Sequence, residues 1–302
     1  MNNITSNPFI HLRLHSSYSL LEGAIRPEEL PQLCKKASMP AVGITDSGNL
    51  FGALEISELL IKSGIQPLIG CEFKLKLSTN NQDKLKQPDI SNVVLLAQNK
   101  VGYLNLLKLS SNYFLRSNGA TLALDLTQLE KHSTGLIALC GGVKGSIGFN
   151  LLKKNIDAAT INTRWFKKIF GDRFYIEIQR HGGSKELRTK DQEATEAKLL
   201  KLAYEYEVPI VATNDVHFRD RSSFEAQDVL SCIAQNAYVD QEAERDKLTP
   251  EHFFKSTEDM ANLFSDLPEA LSNTLEIAMR CTFRPEKRNP ILPKFADNEK
   301  EE

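Results

Sequence analysis

Three histidines and four carboxylates stand at or near the points where short apolar runs of the sequence end. These residues are His15, Glu22, Asp46, Glu72, His181, Asp215 and His217. Imidazole nitrogen and carboxylate oxygen suit zinc, manganese or iron, and adjacent ions of this kind can activate water and stabilise both oxygens of a phosphoester displacement. The set therefore predicts a metal site with hydrolytic chemistry.

Each of these residues, taken alone, also has an ordinary structural interpretation. An Asp after a strand is more often a helix N-cap or a turn residue, and Asp46–Asn49 fits such a turn. Asp215 and His217 lie two residues apart at a strand end, so both side chains can point to one side. The other histidines are interpreted as packed or surface residues: His11, His132 and His252. The prediction depends on the recurrence of ligand-type residues at successive strand ends.

Short apolar runs alternate along the chain with segments that have helical character. The predicted strands are Phe9–His15, Ala41–Thr45, Leu68–Leu75, Val93–Ala97, Leu136–Cys140, Phe174–Gln179 and Ile210–Thr213. The predicted helices are Pro27–Ala37, Gly52–Lys62, Val101–Arg116, Ile156–Ile169, Lys185–Glu205 and Ser222–Ala234. This alternation favours a mainly parallel sheet with helices outside it, and about seven units favour a closed barrel. The loops after parallel strands share one face of a barrel, where the candidate ligands would meet.

The composition narrows the classes of function. A chain of 302 residues with 41% hydrophobic and 25% charged residues has ordinary globular composition. A net charge of −2 provides no basic footprint for nucleic acid, so most phosphate neutralisation would have to come from elsewhere. Five scattered cysteines without a CxxC pair argue against disulfides and a cysteine zinc site. No signal peptide or membrane-length apolar run is evident, so a cytoplasmic protein without a membrane partner is expected.

Several long phrases of the sequence resemble, in order, the motifs of the PHP (polymerase and histidinol phosphatase) domain. They are similar to the version at the N-terminus of bacterial DNA polymerase III alpha subunits. The phrases are FIHLRLHSSYSLLEGA, AVGITDSGNLFGALEI, PLIGCEF, NVVLLAQNKVGYLNL, FYIEIQRHGG and VATNDVHF, and the resemblance extends over residues 8–296. It implies an α/β fold, a distorted, TIM-barrel-like (βα)7 PHP barrel over residues 1–280. Residues 281–302 would form a linker toward a polymerase palm and thumb that this sequence lacks.

Two further segments are expected to lie outside regular structure. Ser78–Asp89 is polar and rich in turn formers, which predicts an exposed loop. Arg284–Pro293 carries three prolines and cannot form a regular helix. The polar tail that follows is predicted to be disordered.

The resemblance also identifies three positions at which this chain departs from intact family sites. Family members with intact sites bind three metal ions through up to nine ligands, and the seven candidate residues match ligand positions, with Glu22 where Asp is usual. Arg13, Ser47 and Asn92 stand where those members have histidine. Arginine has no lone pair to give a cation, but its guanidinium can neutralise carboxylates. We therefore expect a degenerate site that holds zinc, manganese or magnesium at partial occupancy or not at all.

The same resemblance implies two competing functions. In the first, the chain is a structural and docking domain that holds the proofreading exonuclease subunit within the polymerase III holoenzyme. The full-length protein would then be a DNA-directed DNA polymerase, a nucleotidyltransferase that contacts DNA through domains beyond residue 302, and no catalytic residue is assigned here. In the second, the domain is itself a metal-dependent phosphoesterase, either a 3'-5' exonuclease or an enzyme similar to histidinol phosphatases. Direct DNA binding by this segment is disfavoured by its charge.

Overall fold

Seven strands and ten α-helices alternate along residues 9–77, 89–115, 122–183, 186–240 and 245–289, which the computed structural model describes. The strands are β1 (Ala41–Ile44), β2 (Gln66–Lys76), β3 (Ile90–Ala97), β4 (Leu124–Asp125), β5 (Leu136–Leu139), β6 (Phe174–Gln179) and β7 (Ile210–Thr213). The helices are α1 (Leu30–Lys36), α2 (Ala53–Lys62), α3 (Lys100–Leu115), α4 (Leu126–Lys131), α5 (Ser146–Leu152), α6 (Ile156–Phe170), α7 (Lys190–Glu205), α8 (Phe224–Gln235), α9 (Thr257–Leu263) and α10 (Pro268–Arg280). The predicted alternation of strands and helices is confirmed.

Local sequence explains where several of these elements begin. Strands β1, β5 and β7 are buried along their whole length, as expected for continuous apolar runs covered on both faces. Helix α7 begins at Lys190, five residues after the predicted start. The reason is a capping box in which the Thr189 hydroxyl accepts from the Gln192 amide and the Gln192 side chain bonds back.

The sheet is mainly parallel, with one reversed strand. Its order is β1-β2-β3-β5-β6-β7, and β4 pairs with β2 off this path. β3 runs antiparallel to both β2 and β5, whereas the other pairs are parallel. Because β3 is reversed, its first residues lie at the same end of the sheet as the carboxyl ends of its neighbours. Asn92 is thereby brought to the rim that carries the candidate ligands.

The segment before α1 joins the two edges of the sheet. The Gly43 amide donates to the His11 carbonyl (2.6 Å), and the His15 amide donates to the Val216 carbonyl (2.8 Å). The predicted strand Phe9–His15 is nevertheless not a regular strand, because within it Leu14 alone forms a bridge, to Val216. A Cβ at Gly43 would lie 2.5 Å from the Leu12 carbonyl oxygen, so glycine permits this close approach. The expected α/β barrel is confirmed, with its distortion located at this seam.

Two apolar cores fill the space around and within the barrel. The larger core lies between the sheet and the surrounding helices. The smaller core fills the lower interior and consists of Ile10, Leu12, Ala41, Leu68, Val94, Leu96, Ile137, Leu139, Tyr175, Val211, Ile277, Ala278 and Cys281. Residues from α10 belong to this core, so α10 closes the bottom of the barrel. Along β6 the inward positions change from Tyr175 to Glu177, so the interior becomes polar toward the opposite rim.

The chain continues after α10 without regular structure. Residues 281–289 form neither helix nor strand, which agrees with the prediction for the described part of Arg284–Pro293, and residues 290–302 lie outside the described residues. The Gln66 side chain donates to the Cys281 carbonyl (2.7 Å), which fixes the start of this segment against β2. Of the predicted loop Ser78–Asp89, residues 78–88 also lie outside the described residues. Among the helices that are described, none is long and apolar enough to span a membrane.

Candidate metal centre at the barrel rim

A buried guanidinium lies at the centre of the polar end of the barrel. Arg13 is 3% exposed and contacts three carboxylates, each from a different part of the sheet. Its nitrogens lie 2.7 Å from Glu72, 2.9 Å from Glu177 and 2.9 Å from Asp215. Burial opposes the charge, but the three carboxylates outweigh it and raise the pKa of Arg13. The guanidinium therefore stays protonated and bound to the three carboxylates. It has no lone pair to offer, so it cannot act as a metal ligand.

His15 lies beside this guanidinium and shares its carboxylates. Its Nε2 atom lies 3.2 Å from Asp215 Oδ1 and 3.4 Å from Glu72 Oε2. Burial acts to lower the pKa of His15, but these two acids raise it to about 10. His217 stacks on the His15 ring at 4.3 Å, and its Nε2 lies 3.4 Å from the same Asp215 oxygen. At neutral pH His15 is therefore a second cation in the cluster rather than an open ligand.

The carboxylates respond to these cations in different ways. Burial acts to raise the pKa of Asp215, but Arg13 and His217 lower it well below its usual range. The pKa of Glu72 is also lowered, since Arg13 and His15 overcome the effect of burial. Burial prevails at Glu177 and raises its pKa, against the opposing effect of Arg13. Asp215 also has a positive φ of 48°, a conformation that costs energy and is found at functional sites.

Asp46 organises the neighbouring loop instead of contacting the guanidinium. It accepts hydrogen bonds from the Ser16 amide (2.7 Å) and from the Ser19 hydroxyl (2.6 Å). Ser19 is in turn 3.2 Å from His15 Nδ1, so Asp46 is connected to the cluster through one hydroxyl. The Asp46 carboxylate therefore fixes the Ser16–Ser19 loop beside the cluster, while Asp46–Asn49 contains a bridge and a bend rather than the predicted turn.

Glu22, Ser47 and Asn92 surround the cluster. The Ser47 hydroxyl donates to the exposed Glu22 carboxylate and lies 3.3 Å from His15 Nδ1. The Asn92 side chain donates to Glu72. Ser47 and Asn92, two of the three positions predicted to be substituted, thus bond to ligand-type residues and hold them in place.

His181 lies at the same rim but faces a different neighbour. Its Nδ1 accepts from the Gln192 side chain (2.8 Å), and its Nε2 donates to the Asn214 carbonyl (2.6 Å). Burial lowers the pKa of His181 to about 4, so the ring is neutral. His252 stacks on it at 3.8 Å and is only 8% exposed, so the prediction that His252 is a surface residue is wrong. With both nitrogens bonded, His181 offers no free lone pair in this arrangement.

Glu177 is the functional-site residue that the sequence prediction missed. It lies in the middle of an apolar strand, two residues before Gln179, so both point into the barrel. Thr213, on the neighbouring strand, donates its hydroxyl to Glu177 at 2.5 Å. A charged residue inside a buried strand was the available signal, because such a residue needs a partner.

The residues present do not fit a three-ion cluster. Among the described residues, the group that could hold an ion is His15, Asp215 and His217, whose ligand atoms lie within 4.8 Å of one another. Two of the atoms, His15 Nε2 and Asp215 Oδ1, are buried without a hydrogen bond of good geometry. However, Arg13 Nε lies 2.9 Å from that same Asp215 oxygen. A cation at this position would therefore compete with the guanidinium.

Fold and site together define an α/β barrel protein with a buried cluster of carboxylate, imidazole and guanidinium groups at one rim. The PHP domain family model matches residues 11–181. The chain belongs to the PHP domain family.

Comparison with known proteins gives long matches. The chain is 43% identical over 298 residues to the DNA polymerase III subunit alpha of Caulobacter vibrioides, covering 98% of this chain and 25% of that protein. It is 39% identical over 292 residues to the subunit of the same name from Borreliella burgdorferi, covering 95% and 25%. The chain thus spans about a quarter of the length of these curated relatives.

A solved structure with a similar arrangement is much more distant. It is a two-domain protein from Bacteroides vulgatus that contains a predicted PHP-like metal-dependent phosphoesterase. The TM-score is 0.42 at 11% identity, covering 88% of this chain and 63% of that one. A likeness of this degree carries no functional argument.

Proposed function

We propose that this chain is the PHP domain of a replicative DNA polymerase alpha subunit and serves as a structural and docking domain for the proofreading exonuclease subunit. In this proposal the metal site has become an ion-pair network centred on Arg13. The long matches to polymerase III alpha subunits support the first part. The polymerase reaction itself, the holoenzyme partners and the contact with DNA would belong to the whole protein.

The single observation that carries the proposal is the position of the Arg13 guanidinium. It occupies the space among Glu72, Glu177 and Asp215, where metal ions would otherwise neutralise the carboxylates. A guanidinium makes several directed hydrogen bonds to carboxylates, so it can take over this neutralising role. It cannot coordinate a water molecule and lower its pKa as a metal ion does, and its nitrogens are already held by the three carboxylates. The arrangement therefore favours a stabilising role over hydrolysis.

A second candidate function is metal-dependent phosphoester hydrolysis. It is favoured by the convergence of His15, Asp215 and His217 within 4.8 Å. Against it stand the proton on His15 and the ion pair between Arg13 and Asp215. A metal would have to displace both before it could bind.

Metal analysis of the purified chain tests the two candidates. The wild-type protein, prepared without chelator and dialysed against manganese and zinc, is expected to carry no stoichiometric metal by plasma mass spectrometry. The variant Arg13→His/Ser47→His/Asn92→His supplies three imidazoles at the substituted positions and is expected to gain bound metal. Two or three ions in the wild-type chain, together with manganese-dependent release of phosphate or nucleotides, would contradict the proposal.

The docking role has its own test. The exonuclease subunit encoded in the same genome should co-sediment with the purified chain in analytical ultracentrifugation. Failure of the two proteins to associate at micromolar concentrations would remove the docking part of the proposal and leave the metal result unaffected.

A further inference from the structure

Helix α8 exposes two of its large apolar side chains. Its buried positions include Gln227 and Asp228, whereas Val229 is 47% exposed and Ile233 is 62% exposed. An amphipathic helix of a globular protein normally places its apolar stripe against the core. On α8, two of the three buried positions are polar and the third is Cys232, and the described residues leave Val229 and Ile233 exposed.

The polar inner face of α8 is explained by the loops that it holds. The Gln227 side chain donates to the Glu22 carbonyl at 2.6 Å, and His217 Nδ1 lies 3.0 Å from the same oxygen. Asp228 accepts two hydrogen bonds from Arg245, at 2.5 and 2.8 Å. The inner face is therefore committed to the rim loop and to the segment after α8. On the outer face, Val229 and Ile233 stay exposed within the part of the chain that the structure describes.

Exposed apolar residues extend this surface beyond the end of the helix. The chain leaves α8 through Asn236 in a left-handed conformation, which turns it sharply. Tyr238 is then 72% exposed and Val239 is 50% exposed. We call Val229, Ile233, Tyr238 and Val239 the α8 patch.

Exposed carboxylates lie around the α8 patch. The described residues 224–240 and 245–247 include four acidic residues and two basic ones, Arg245 and Lys247. Both basic residues pair with the buried Asp228, Arg245 at 2.5 Å and Lys247 at 3.7 Å. Exposed carboxylates therefore flank the patch at Glu225, Asp240 and Asp246. Such a surface repels phosphate and attracts lysine and arginine.

We propose that the α8 patch docks a protein segment that presents apolar side chains flanked by lysine or arginine. An apolar centre with a charged rim is the usual arrangement of a specific protein interface, and complementary charge adds selectivity and faster association. This inference rests on the proposed function, in which the docked partner is the exonuclease subunit. The surface and the chemistry of its partner follow from α8 alone.

Charged substitutions on two helices of similar exposure test the assignment. Val229→Asp/Ile233→Asp places two carboxylates in the α8 patch and leaves its inner face intact. Val101→Asp/Leu104→Asp makes the same change on α3, where these side chains are 52% and 45% exposed, and serves as the matched control. Affinity for the exonuclease subunit is measured by isothermal titration calorimetry, and both variants are checked by thermal unfolding.

The α8 variant is expected to bind at least about tenfold more weakly, as when apolar side chains at the centre of an interface are lost. The α3 variant should bind within about twofold of wild type. The variant Glu225→Lys/Asp240→Lys reverses two of the charges around the α8 patch, so it should weaken binding and reduce the dependence of binding on salt. Equal binding by wild type and the folded α8 variant overturns the assignment while the docking function stands. If the α3 variant alone lost binding, the interface would lie on α3 instead of on the α8 patch. If the wild-type chain did not bind the exonuclease subunit, both the docking function and the assignment of the α8 patch would be overturned.

Discussion

The upper and lower halves of the barrel interior are equally buried but are stabilised by different interactions. In the lower half, side chains such as Leu139 and Val211 are fully buried in an apolar cluster closed by α10. In the upper half, Arg13 is 3% exposed and Glu177 is 1% exposed, and both are surrounded by charged partners. When an apolar side chain is truncated, the protein loses stability in proportion to the cavity that remains. When one partner of a buried ion pair is removed, the loss is large because the other charge stays buried without a partner. The two halves should therefore respond differently to substitution and to pH.

The largest effect is expected when the central cation of the upper half is removed. Arg13→Met preserves most of the side-chain volume but leaves Glu72, Glu177 and Asp215 without the guanidinium. Removing one partner of a buried ion pair costs about 3–5 kcal/mol, because the remaining charges stay buried. Urea denaturation followed by circular dichroism measures this loss. Lys153→Met is the control, because its ion pair with Asp89 is half exposed and should contribute at most about 1 kcal/mol.

Equal losses in the two variants would show that burial of the Arg13 network has no special energetic consequence. If Arg13→Met were as stable as wild type, the carboxylates would have to be neutralised in another way, for example by protonation. Repeating the denaturation at lower pH separates these cases, since protonation of the three acids should then rescue the variant.

A somewhat smaller effect is expected in the lower half. Leu139→Ala removes a fully buried side chain from the inner face of β5 and leaves a cavity. Substitutions of this kind cost about 2–5 kcal/mol, depending on how far the surroundings relax. Because no titratable group is involved, the loss measured by urea denaturation should be the same at pH 6 and pH 9. A strong pH dependence would mean that the two halves of the interior are coupled.

Local sequence patterns were sufficient to predict much of the barrel. Strands β6 and β7 have the bounds predicted for them. Each is a mainly apolar run with polar residues or proline on either side: Arg173 and Arg180 flank β6, and Pro209 and Asn214 flank β7. The reversal of β3 and the irregular seam at Phe9–His15 depend on hydrogen bonds between segments distant in sequence. A local pattern of residue types contains no information about those partners.

The same distinction applies to the candidate site. His15, Glu72, Asp215 and His217 were singled out because they stand at or near strand ends, and the structure brings them into direct contact. Glu177 was missed because its position inside a strand suggested nothing about its partner Arg13, which is 164 residues away in sequence. The position of Arg13 at the centre of the cluster could be seen only in the fold, although the sequence had suggested that its guanidinium could neutralise carboxylates.

A change in pH distinguishes the two histidine environments of the rim. The pKa of His15 is raised from 6.5 to about 10, so protonated His15 stabilises the fold below pH 6.5, and this contribution is lost as the pH rises toward 10. The pKa of His181 is lowered to about 4, so its contribution is complete above pH 6.5 and is lost only as the pH falls toward 4. The difference in melting temperature between wild type and His15→Gln should therefore shrink from pH 6.5 to pH 10, by about 2–4 °C for each kcal/mol lost. The corresponding difference for His181→Gln should stay constant from pH 7 to pH 10.

If the His15→Gln difference were also constant, His15 would be neutral in the folded protein and free to act as a metal ligand, which would favour the phosphoesterase over the ion-pair network.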